Sequence, residues 1–323
     1  MKKNLLVTLA DKNYIKQAKH LFSNVYWNAG WKGDYMLLAH KIPEKELEWF
    51  KKKRILIKKC PPIFKETMGG PVKLSKFYLF IPEFKKWKKI VYLDSDMIVK
   101  ASLDELIKVN RFVAVLDDLI VNKLIDQFII PHKMGREVFN NLKKIYDIKT
   151  RVFKSGVMIF NTNIIKKDTF SKLIKLSKKY TKFTKPGSLD QPILNLLFYK
   201  KWEEIPIVYN LDVRDFKFIN PNKITAIIFH FDGNDRPWIP KSHFHKEWNF
   251  DLNRANKINL DKIPDPSRKF KQSNIKNYSF YLKIRSIFYF PNWIHFIDRT
   301  FGLIGIFLYD HFPNLYFKLK KLK

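Results

Sequence analysis

Short apolar runs alternate with longer amphipathic stretches through the first half of this chain of 323 residues, and this alternation limits the folds open to it. Residues 5–9 and 90–93 are apolar runs of strand length, whereas residues 14–22 place apolar side chains at helical spacing. Strands that alternate with helices build βαβ units around a mostly parallel sheet. The sequence therefore predicts an α/β fold.

Proline and glycine help to set the bounds of the predicted elements. Pro82 closes one helix, and Pro186 with Gly187 marks a loop. The predicted strands are residues 5–9, 34–39, 55–57, 90–93, 112–116, 156–160, 207–209 and 226–231. The predicted helices are residues 14–22, 72–80, 164–180 and 191–199.

Cysteine content and the N-terminal residues indicate the compartment. The single cysteine, Cys60, excludes an internal disulfide framework and a cysteine-based zinc site within one chain. The first apolar run is too short for a signal-peptide core and is followed by Asp11 and Lys12, so we interpret it as the first strand. We expect a cytoplasmic location.

The formal net charge of +32 indicates the class of partner rather than the fold. Nucleic acid, anionic lipid and phosphorylated ligands all suit such a chain. A basic nucleic-acid-binding protein is one alternative, because aromatic residues interleave with the basic ones. No recognisable nucleic-acid motif accompanies them, and we expect no nucleic-acid partner.

The composition changes after about Pro240, which predicts a main domain over residues 1–245 and a mainly helical extension over residues 246–323. From residue 277 the extension is both aromatic and basic. Its longest apolar run, residues 301–309, is shorter than the ~20 residues that a spanning helix needs. We expect it to lie on an anionic membrane surface. The alternative is a segment packed on the domain or on a second copy in a homo-oligomer.

Two carboxylates, Asp94 and Asp96, follow the apolar run at residues 90–93. Ligands of open α/β sheets bind outside the carboxyl ends of the strands, which is where this pair would emerge. Carboxylates suit a hard cation, and Mn²⁺ or Mg²⁺ bound there would keep positions for substrate phosphates. Taken alone, the pair is more typical of a polar turn.

Three further segments supply groups that a phosphate-binding cation site needs. In residues 229–238, a strand delivers His230 as an imidazole ligand, Gly233 allows close approach of the backbone, and Arg236 offers a forked cation. Asp190 stands at a loop-to-helix boundary, where it is either an N-cap or a group beside a reacting sugar. Ser155 and Gly156 enter a strand with little bulk. Alone, each segment has an ordinary structural explanation.

Together and in this order, these segments resemble glycosyltransferase family 8 over about residues 5–238. The shared features are a Tyr-Leu-Asp-x-Asp strand end, a Ser-Gly strand entry, an Asp-Gln helix start, a Tyr-Asn pair and a His-Phe-x-Gly-x-x-Arg-Pro-Trp segment. The resemblance implies a GT-A fold, a Mn²⁺-dependent UDP-sugar donor, most simply UDP-glucose or UDP-galactose, and transfer with retention of configuration. It also implies a glycan or glycolipid acceptor.

The resemblance further implies roles for individual residues. Asp94, Asp96 and His230 match the metal ligands, and Asp190 and Gln191 match groups that steady the anomeric carbon or orient the acceptor. The residues matched to the donor site are Thr8, Leu9, Tyr14, Lys76, Asp94, Ser95, Asp117, Ser155, Gly156, Gly233 and Arg236. Among these, Tyr14 is expected to stack on the base.

Three positions depart from the pattern of the family. Lys154 replaces an Asn that contacts the donor sugar, which leaves the identity of the sugar open and keeps an inactive, sugar-binding scaffold as an alternative. Arg236 replaces a Lys but retains the charge and a phosphate grip. Pro192 follows the Asp-Gln pair and suits the first turn of a helix.

Overall fold

A computed structural model of the chain places a seven-stranded sheet at the centre of an α/β fold. The described residues are 3–64, 71–117, 122–129, 134–185, 187–213, 225–232 and 236–287, with isolated positions between 304 and 318. In chain order, the strands are β1 (Leu5–Ala10), β2 (Asp34–Ala39), β3 (Leu56–Lys59), β4 (Lys89–Leu93), β5 (Met97–Val99), β6 (Val113–Leu116), β7 (Phe153–Asn161), β8 (Glu203–Glu204), β9 (Leu211–Asp212) and β10 (Ile228–His230).

The main sheet has the strand order β3-β2-β1-β4-β7-β6-β8. Its strands run parallel except for β7, which is antiparallel to both of its neighbours. The predicted α/β fold with a mostly parallel sheet is therefore confirmed. Because β7 runs the other way, its first residues lie at the edge where β1 and β4 end, and open α/β sheets bind ligands at that edge.

Helices cover both faces of the main sheet. Along β1, Leu5 and Val7 pack into the apolar cluster on one face and Leu6 into the cluster on the other, as the two-residue period of a strand requires. In chain order, the helices are α1 (Ile15–Asn24), α2 (Glu44–Lys52), α3 (Pro71–Leu74), α4 (Arg136–Ile145), α5 (Thr169–Tyr180), α6 (Asp190–Leu197), α7 (His245–Asn253) and α8 (Gln272–Ile287). The sheet is thus the middle of three layers.

A smaller sheet of three strands adjoins the end of β4. In it, β10 pairs antiparallel with β5 and parallel with β9. β5 begins immediately after Asp96, so the small sheet continues directly from the end of β4. Strands far apart in the sequence therefore meet beside the two carboxylates.

Three predicted elements differ from the structure in type or by several residues at their start. Residues 207–209 form a 3₁₀ turn rather than a strand, because the N–H of Tyr209 bonds to the Pro206 carbonyl instead of to a neighbouring strand. The predicted helix at residues 72–80 is a single α-helical turn followed by a 3₁₀ segment. The helix predicted from residue 164 begins only at Thr169.

The segment that follows residue 245 packs against α1. Asp251 of α7 is buried and accepts hydrogen bonds from the side chains of Asn24 and Arg254, while Ile275 and Leu282 of α8 lie in the apolar core. The boundary predicted between residues 245 and 246 stays a prediction.

The aromatic and basic tail is described only in part. No helix in the described portion combines the length and hydrophobicity that crossing a membrane requires. Residues 288–303 and most of the apolar run at residues 301–309 lie outside the described residues. On α8 the side chain of Phe280 is exposed, with 66% of the residue accessible.

Candidate active site

A cleft of about 600 Å³ opens at the carboxyl edge of the main sheet. Asp94, Ser95 and Asp96 line it immediately after β4, and about a quarter of each Asp side chain is exposed (23% for both). Cavities that bind small molecules have volumes of roughly 300–1,000 Å³. The cleft therefore has room for a ligand of nucleotide size.

His230 reaches the two carboxylates through the pairing of β10 with β5. His230 lies opposite Met97, the residue after Asp96, and the N–H of Phe231 donates to the Asp96 carbonyl at 3.1 Å. Candidate ligand atoms of Asp94, Asp96 and His230 all lie within 4.8 Å of one another. Two carboxylates and one imidazole form a donor set suited to a divalent cation.

Asn210 holds the His230 ring in an orientation that suits a metal ligand. The Asn210 Oδ1 lies 3.0 Å from Nδ1 of the ring, so Nδ1–H donates to it and Nε2 faces the Asp96 carboxylate at 3.4 Å. Burial would lower the pKa of His230, but the carboxylates of Asp96, Asp94 and Asp212 together outweigh burial and raise the pKa. Metal-binding histidines commonly have this second partner on the ring nitrogen that is not ligating. The residues present therefore fit a divalent cation.

Gly156 provides the space in which this cluster sits. A Cβ at this position would lie 2.8 Å from Cε1 of His230 and 3.1 Å from Oδ2 of Asp94. Carbon contacts shorter than about 3.5 Å are repulsive. Any larger residue would therefore crowd the His230 ring, the Met97 side chain and the Asp94 carboxylate, which gives the small residue in the Ser-Gly strand entry a physical reason.

Lys76 joins the carboxylate after β4 to the one that begins α6. Its Nζ lies 3.0 Å from Oδ1 of Asp94 and 2.9 Å from Oδ2 of Asp190, and only 6% of its side chain is exposed. Burial would lower the pKa of Lys76, but the two carboxylates outweigh burial and raise it. Burial likewise opposes ionisation of Asp190, yet Lys76 holds the Asp190 pKa below its usual value. Asp190 is thus a buried carboxylate that stays ionised.

The two carboxylates of the Asp-x-Asp pair are electrostatically unequal. Burial raises the pKa of Asp94, and Lys76 offsets this only in part. Burial would raise the pKa of Asp96 as well, but His230, a backbone hydrogen bond and Lys76 together outweigh burial and lower the pKa. Asp96 is therefore the more strongly ionised member of the pair.

The start of α6 is fastened to the start of β7. Ser155 Oγ donates to Oδ2 of Asp190 at 2.7 Å, and the Ser155 N–H donates to Oε1 of Gln191 at 3.0 Å. One turn later, Asn195 exchanges two hydrogen bonds with the backbone of Phe153. These contacts fix Asp190 and Gln191 at the cleft, where both were predicted.

Residues at the end of β1 and just after it line the part of the cleft away from α6 and β7. Leu9 and Tyr14 line this part. The pKa of Tyr14 is raised, mainly by burial and then by the negative charge of Asp96. Arg236 also lines this part, with its guanidinium 5.7 Å from the Trp238 ring centre, and Trp238 meets Tyr14 edge to face at 6.1 Å. Thr8, also predicted for the donor site, is fully buried on the face of β1 opposite Leu9 and is not among the residues that line the cleft; its role stays a prediction.

The remaining predicted donor residues have different outcomes. Asp117 lines the cleft just after β6, where Gln127 Nε2 donates to its Oδ2 at 3.3 Å. Gly233 lies outside the described residues. The other residues predicted for the metal, the donor or catalysis all line the cleft, although their chemical roles stay predictions.

The family of the chain follows from comparison with known proteins. The model of glycosyl transferase family 8 matches residues 5–241, which span most of the chain and contain the cleft residues described above. The chain belongs to glycosyl transferase family 8. The family resemblance of the sequence is confirmed.

Curated relatives are glycosyltransferases of streptococci. Glycosyltransferase GlyE of Streptococcus pneumoniae is 24% identical over 269 residues, which are 73% of this chain and 57% of GlyE. Glycosyltransferase GlyB of the same organism is 32% identical over 138 residues, 42% of this chain and 28% of GlyB. The family-8 chain thus spans between about a quarter and about three fifths of the length of these two relatives.

Solved structures confirm the GT-A fold. The galactosyltransferase LgtC, in a complex with donor and acceptor sugar analogues, superposes with a TM-score of 0.57 at 17% identity, covering 77% of this chain and 95% of LgtC. The crystal structure of GlyE gives a TM-score of 0.56 at 23% identity, covering 83% of this chain and 68% of that chain.

Sequence reasoning did not assign a role to Asp212, which lines the family-8 cleft from β9. Only 1% of its side chain is exposed, and its Oδ2 lies 3.2 Å from Nζ of Lys154. The one hint in the sequence is that Asp212 stands two residues after Asn210 of the Tyr-Asn pair; its register pairing with His230 on β10 is visible only in the structure. Because the strand was predicted at residues 207–209 instead of 211–212, the prediction did not place Asp212 on a strand beside His230.

Proposed function

We propose that this chain is a metal-dependent, retaining glycosyltransferase that moves a hexose from UDP-glucose or UDP-galactose to a glycan or glycolipid acceptor. Membership of family 8 supports glycosyl transfer as the reaction type. The observation that carries the proposal is the cluster of Asp94, Asp96 and His230 at the carboxyl edge of the sheet. These three residues would hold Mn²⁺ or Mg²⁺.

The proposed mechanism assigns the departing UDP to the middle of the cleft. A divalent cation at this cluster would supply Lewis-acid stabilisation of the charge on the leaving diphosphate. Arg236 would add a permanent positive charge on the side of the cleft near β1. The ammonium of Lys76 lies between Asp94 and Asp190, so its role is to balance these carboxylates.

Asp190 and Gln191 are the groups proposed to act on the sugar. Asp190 makes its contacts with Lys76 and Ser155 through Oδ2, and it is ionised, which suits stabilisation of positive charge at the anomeric carbon. Gln191 accepts the Ser155 N–H through Oε1, so its amide N–H₂ is the group that would donate to a sugar or acceptor oxygen.

Release of UDP from a UDP-sugar tests the proposal directly. The protein is expected to hydrolyse UDP-glucose or UDP-galactose slowly in Mn²⁺ without an acceptor, and EDTA should lower the rate by about 10²-fold or more, since the metal stabilises the leaving group. UDP measured by a coupled assay gives the readout. Neither an inactive scaffold nor a nucleic-acid-binding protein would release UDP in a metal-dependent way.

We also propose that the protein is peripheral on the cytoplasmic face of a membrane, where a glycolipid acceptor would be presented. Supporting observations are the exposed side chains of Phe280, Phe307 and Phe312 and the basic composition of residues 277–323. Aromatic rings sit at headgroup depth, and each basic residue near an anionic surface contributes about 1 kcal/mol of attraction.

Removal of residues 288–323 is expected to weaken binding to phosphatidylserine vesicles at least ~10-fold while leaving metal-dependent UDP release within about 2-fold. This truncation keeps α8, because Leu282 of that helix is fully buried in the core. Vesicle co-sedimentation provides the measurement, with phosphatidylcholine vesicles as the control. Equal sedimentation of the full-length and shortened chains would contradict the membrane proposal.

A further inference from the structure

A second buried ion pair lines the cleft, separate from the Lys76 network. Lys154 is the second residue of β7, and Asp212 belongs to β9 of the small sheet. Their Nζ and Oδ2 atoms are 3.2 Å apart, and 13% and 1% of the two side chains are exposed. The pair therefore bridges the two sheets and presents the ammonium of Lys154 to the cleft.

The strand order gives the direction in which a UDP-sugar would lie, if the proposed function holds. The candidate metal site is at the end of β4, with β1 on one side of it and β7 followed by β6 on the other. With the nucleoside beside Tyr14 after β1 and the diphosphate at the metal, the sugar would extend over the start of β7 and the end of β6. Lys154 and Asp117 lie there, and the Asp117 N–H bonds to the Val152 carbonyl at 2.9 Å.

Charge limits the kind of sugar that this part of the cleft can hold. Three carboxylates, those of Asp117, Asp190 and Asp212, line it together with Lys154 and Lys76. A uronic acid would add a fourth carboxylate to this cluster, and like charges at short distance disfavour binding in a partly buried site. A neutral sugar adds no such repulsion.

The hydrogen-bonding groups of the Lys154–Asp212 pair suit the recognition of a hydroxyl group. An ammonium has donors and no acceptor, whereas an ionised carboxylate has acceptors and no donor. A sugar hydroxyl can accept from Lys154 and donate to Asp212 at the same time. A sugar without that hydroxyl would lose both of these charge-assisted hydrogen bonds, and sites built to hydrogen-bond a substrate hydroxyl reject analogues that lack it strongly.

We propose that the Lys154–Asp212 ion pair determines donor specificity by binding one hydroxyl of a neutral, unsubstituted hexose. Both residues act as specificity-determining groups, and neither enters the transfer step. The proposal rests on the proposed function, because it takes the ligand of the cleft to be a UDP-sugar.

The test combines deoxygenated donors with removal of the pair. UDP-glucose and UDP-galactose and their 2-, 3-, 4- and 6-deoxy analogues are assayed by metal-dependent UDP release with the full-length protein. In the native protein, deletion of one hydroxyl should lower kcat/KM by about 10²-fold. In the double variant Lys154→Met/Asp212→Asn, the same deletion should cost less than about 5-fold, while the affinity for UDP stays within about 3-fold.

A matched control separates specificity from stability. The Lys172–Asp168 pair has the same chemistry and a 2.8 Å contact, but it is exposed at the start of α5 and outside the cleft. The double variant Lys172→Met/Asp168→Asn should keep the full penalty for the deleted hydroxyl. Equal penalties in the native protein and in Lys154→Met/Asp212→Asn would overturn the proposal and leave the pair a purely structural bridge.

Two further outcomes keep the proposal testable if the double variant does not fold. In the native protein alone, a panel in which no deoxy donor costs more than about 10-fold overturns it. UDP-glucuronate used as well as UDP-glucose overturns it too, because the carboxylates should repel that donor. Failure of the native protein to release UDP from any donor would count against the proposed function instead.

Discussion

Replacement of Asp96 by alanine is expected to abolish metal-dependent UDP release, with a loss of about 10³-fold or more in rate. Asp96 is the more strongly ionised of the two carboxylates, and its Oδ1 lies 3.4 Å from the candidate ligand atom of His230. Removing it leaves one carboxylate and one imidazole, too few ligands to hold Mn²⁺ firmly. The measurements are UDP release and calorimetric binding of UDP with and without Mn²⁺.

The fold should tolerate the Asp96→Ala change. Asp96 follows β4, its backbone carbonyl still accepts from Phe231, and the substitution removes a carboxylate that repels Asp94. The melting temperature in EDTA should therefore stay within a few degrees of the native value. Asp104→Ala, which removes an exposed carboxylate outside the cleft, serves as the matched control. Native-like turnover by the Asp96 variant would refute the assignment of the metal site.

Substitution of Gly156 by alanine should weaken Mn²⁺ binding by about 10–100-fold and lower UDP release to match. The added methyl group would lie 2.8 Å from His230 and 3.1 Å from Asp94, so one of the two ligands must shift. Overpacking of this kind also destabilises a protein by about 1–3 kcal/mol. Serine at the same position, being larger, should have the greater effect. Titration of Mn²⁺ followed by electron paramagnetic resonance reports the affinity.

Gly135→Ala provides the control for the stability component of the Gly156 substitution. Gly135 has a φ of +86° and no atom within 4 Å of a Cβ built on it, so alanine there strains the backbone without touching the cleft. This variant should lose stability but keep its Mn²⁺ affinity. If Gly156→Ala bound Mn²⁺ as tightly as the native protein, this would contradict the expectation that a side chain at position 156 disturbs the candidate metal ligands.

The periodicity of the sequence predicted most of the main sheet, because buried parallel strands leave a clear apolar signal. The strand predicted at residues 34–39 has the bounds that the structure gives to β2. The direction of β7 left no such signal, since the same apolar run serves a parallel or an antiparallel strand. The structure shows that this reversal is what brings Ser155 and Gly156 to the cleft.

Cleft residues were predictable where a motif accompanied them and not where only packing placed them. Asp94, Asp96 and His230 were found through sequence patterns, and the structure brings them together. Thr8 was assigned to the donor site, but strand alternation turns its side chain away from the cleft. Asp212 received no role, because its meaning depends on contacts with Lys154 and β10 that no local pattern encodes.

The pairing of β5 with β10 means that the cluster of Asp94, Asp96 and His230 can assemble only late in the synthesis of the chain. Asp94 and Asp96 leave the ribosome early, but His230 and the Phe231 N–H that fastens its strand to Asp96 follow more than 130 residues later. Chains fold from the N-terminus during synthesis at roughly 5–20 residues per second. For several seconds, a nascent chain therefore carries two carboxylates without their imidazole partner. Under the proposed metal assignment, capture of the cation would be a late event in biogenesis, and tight retention of Mn²⁺ by a released chain would report that its small sheet is complete.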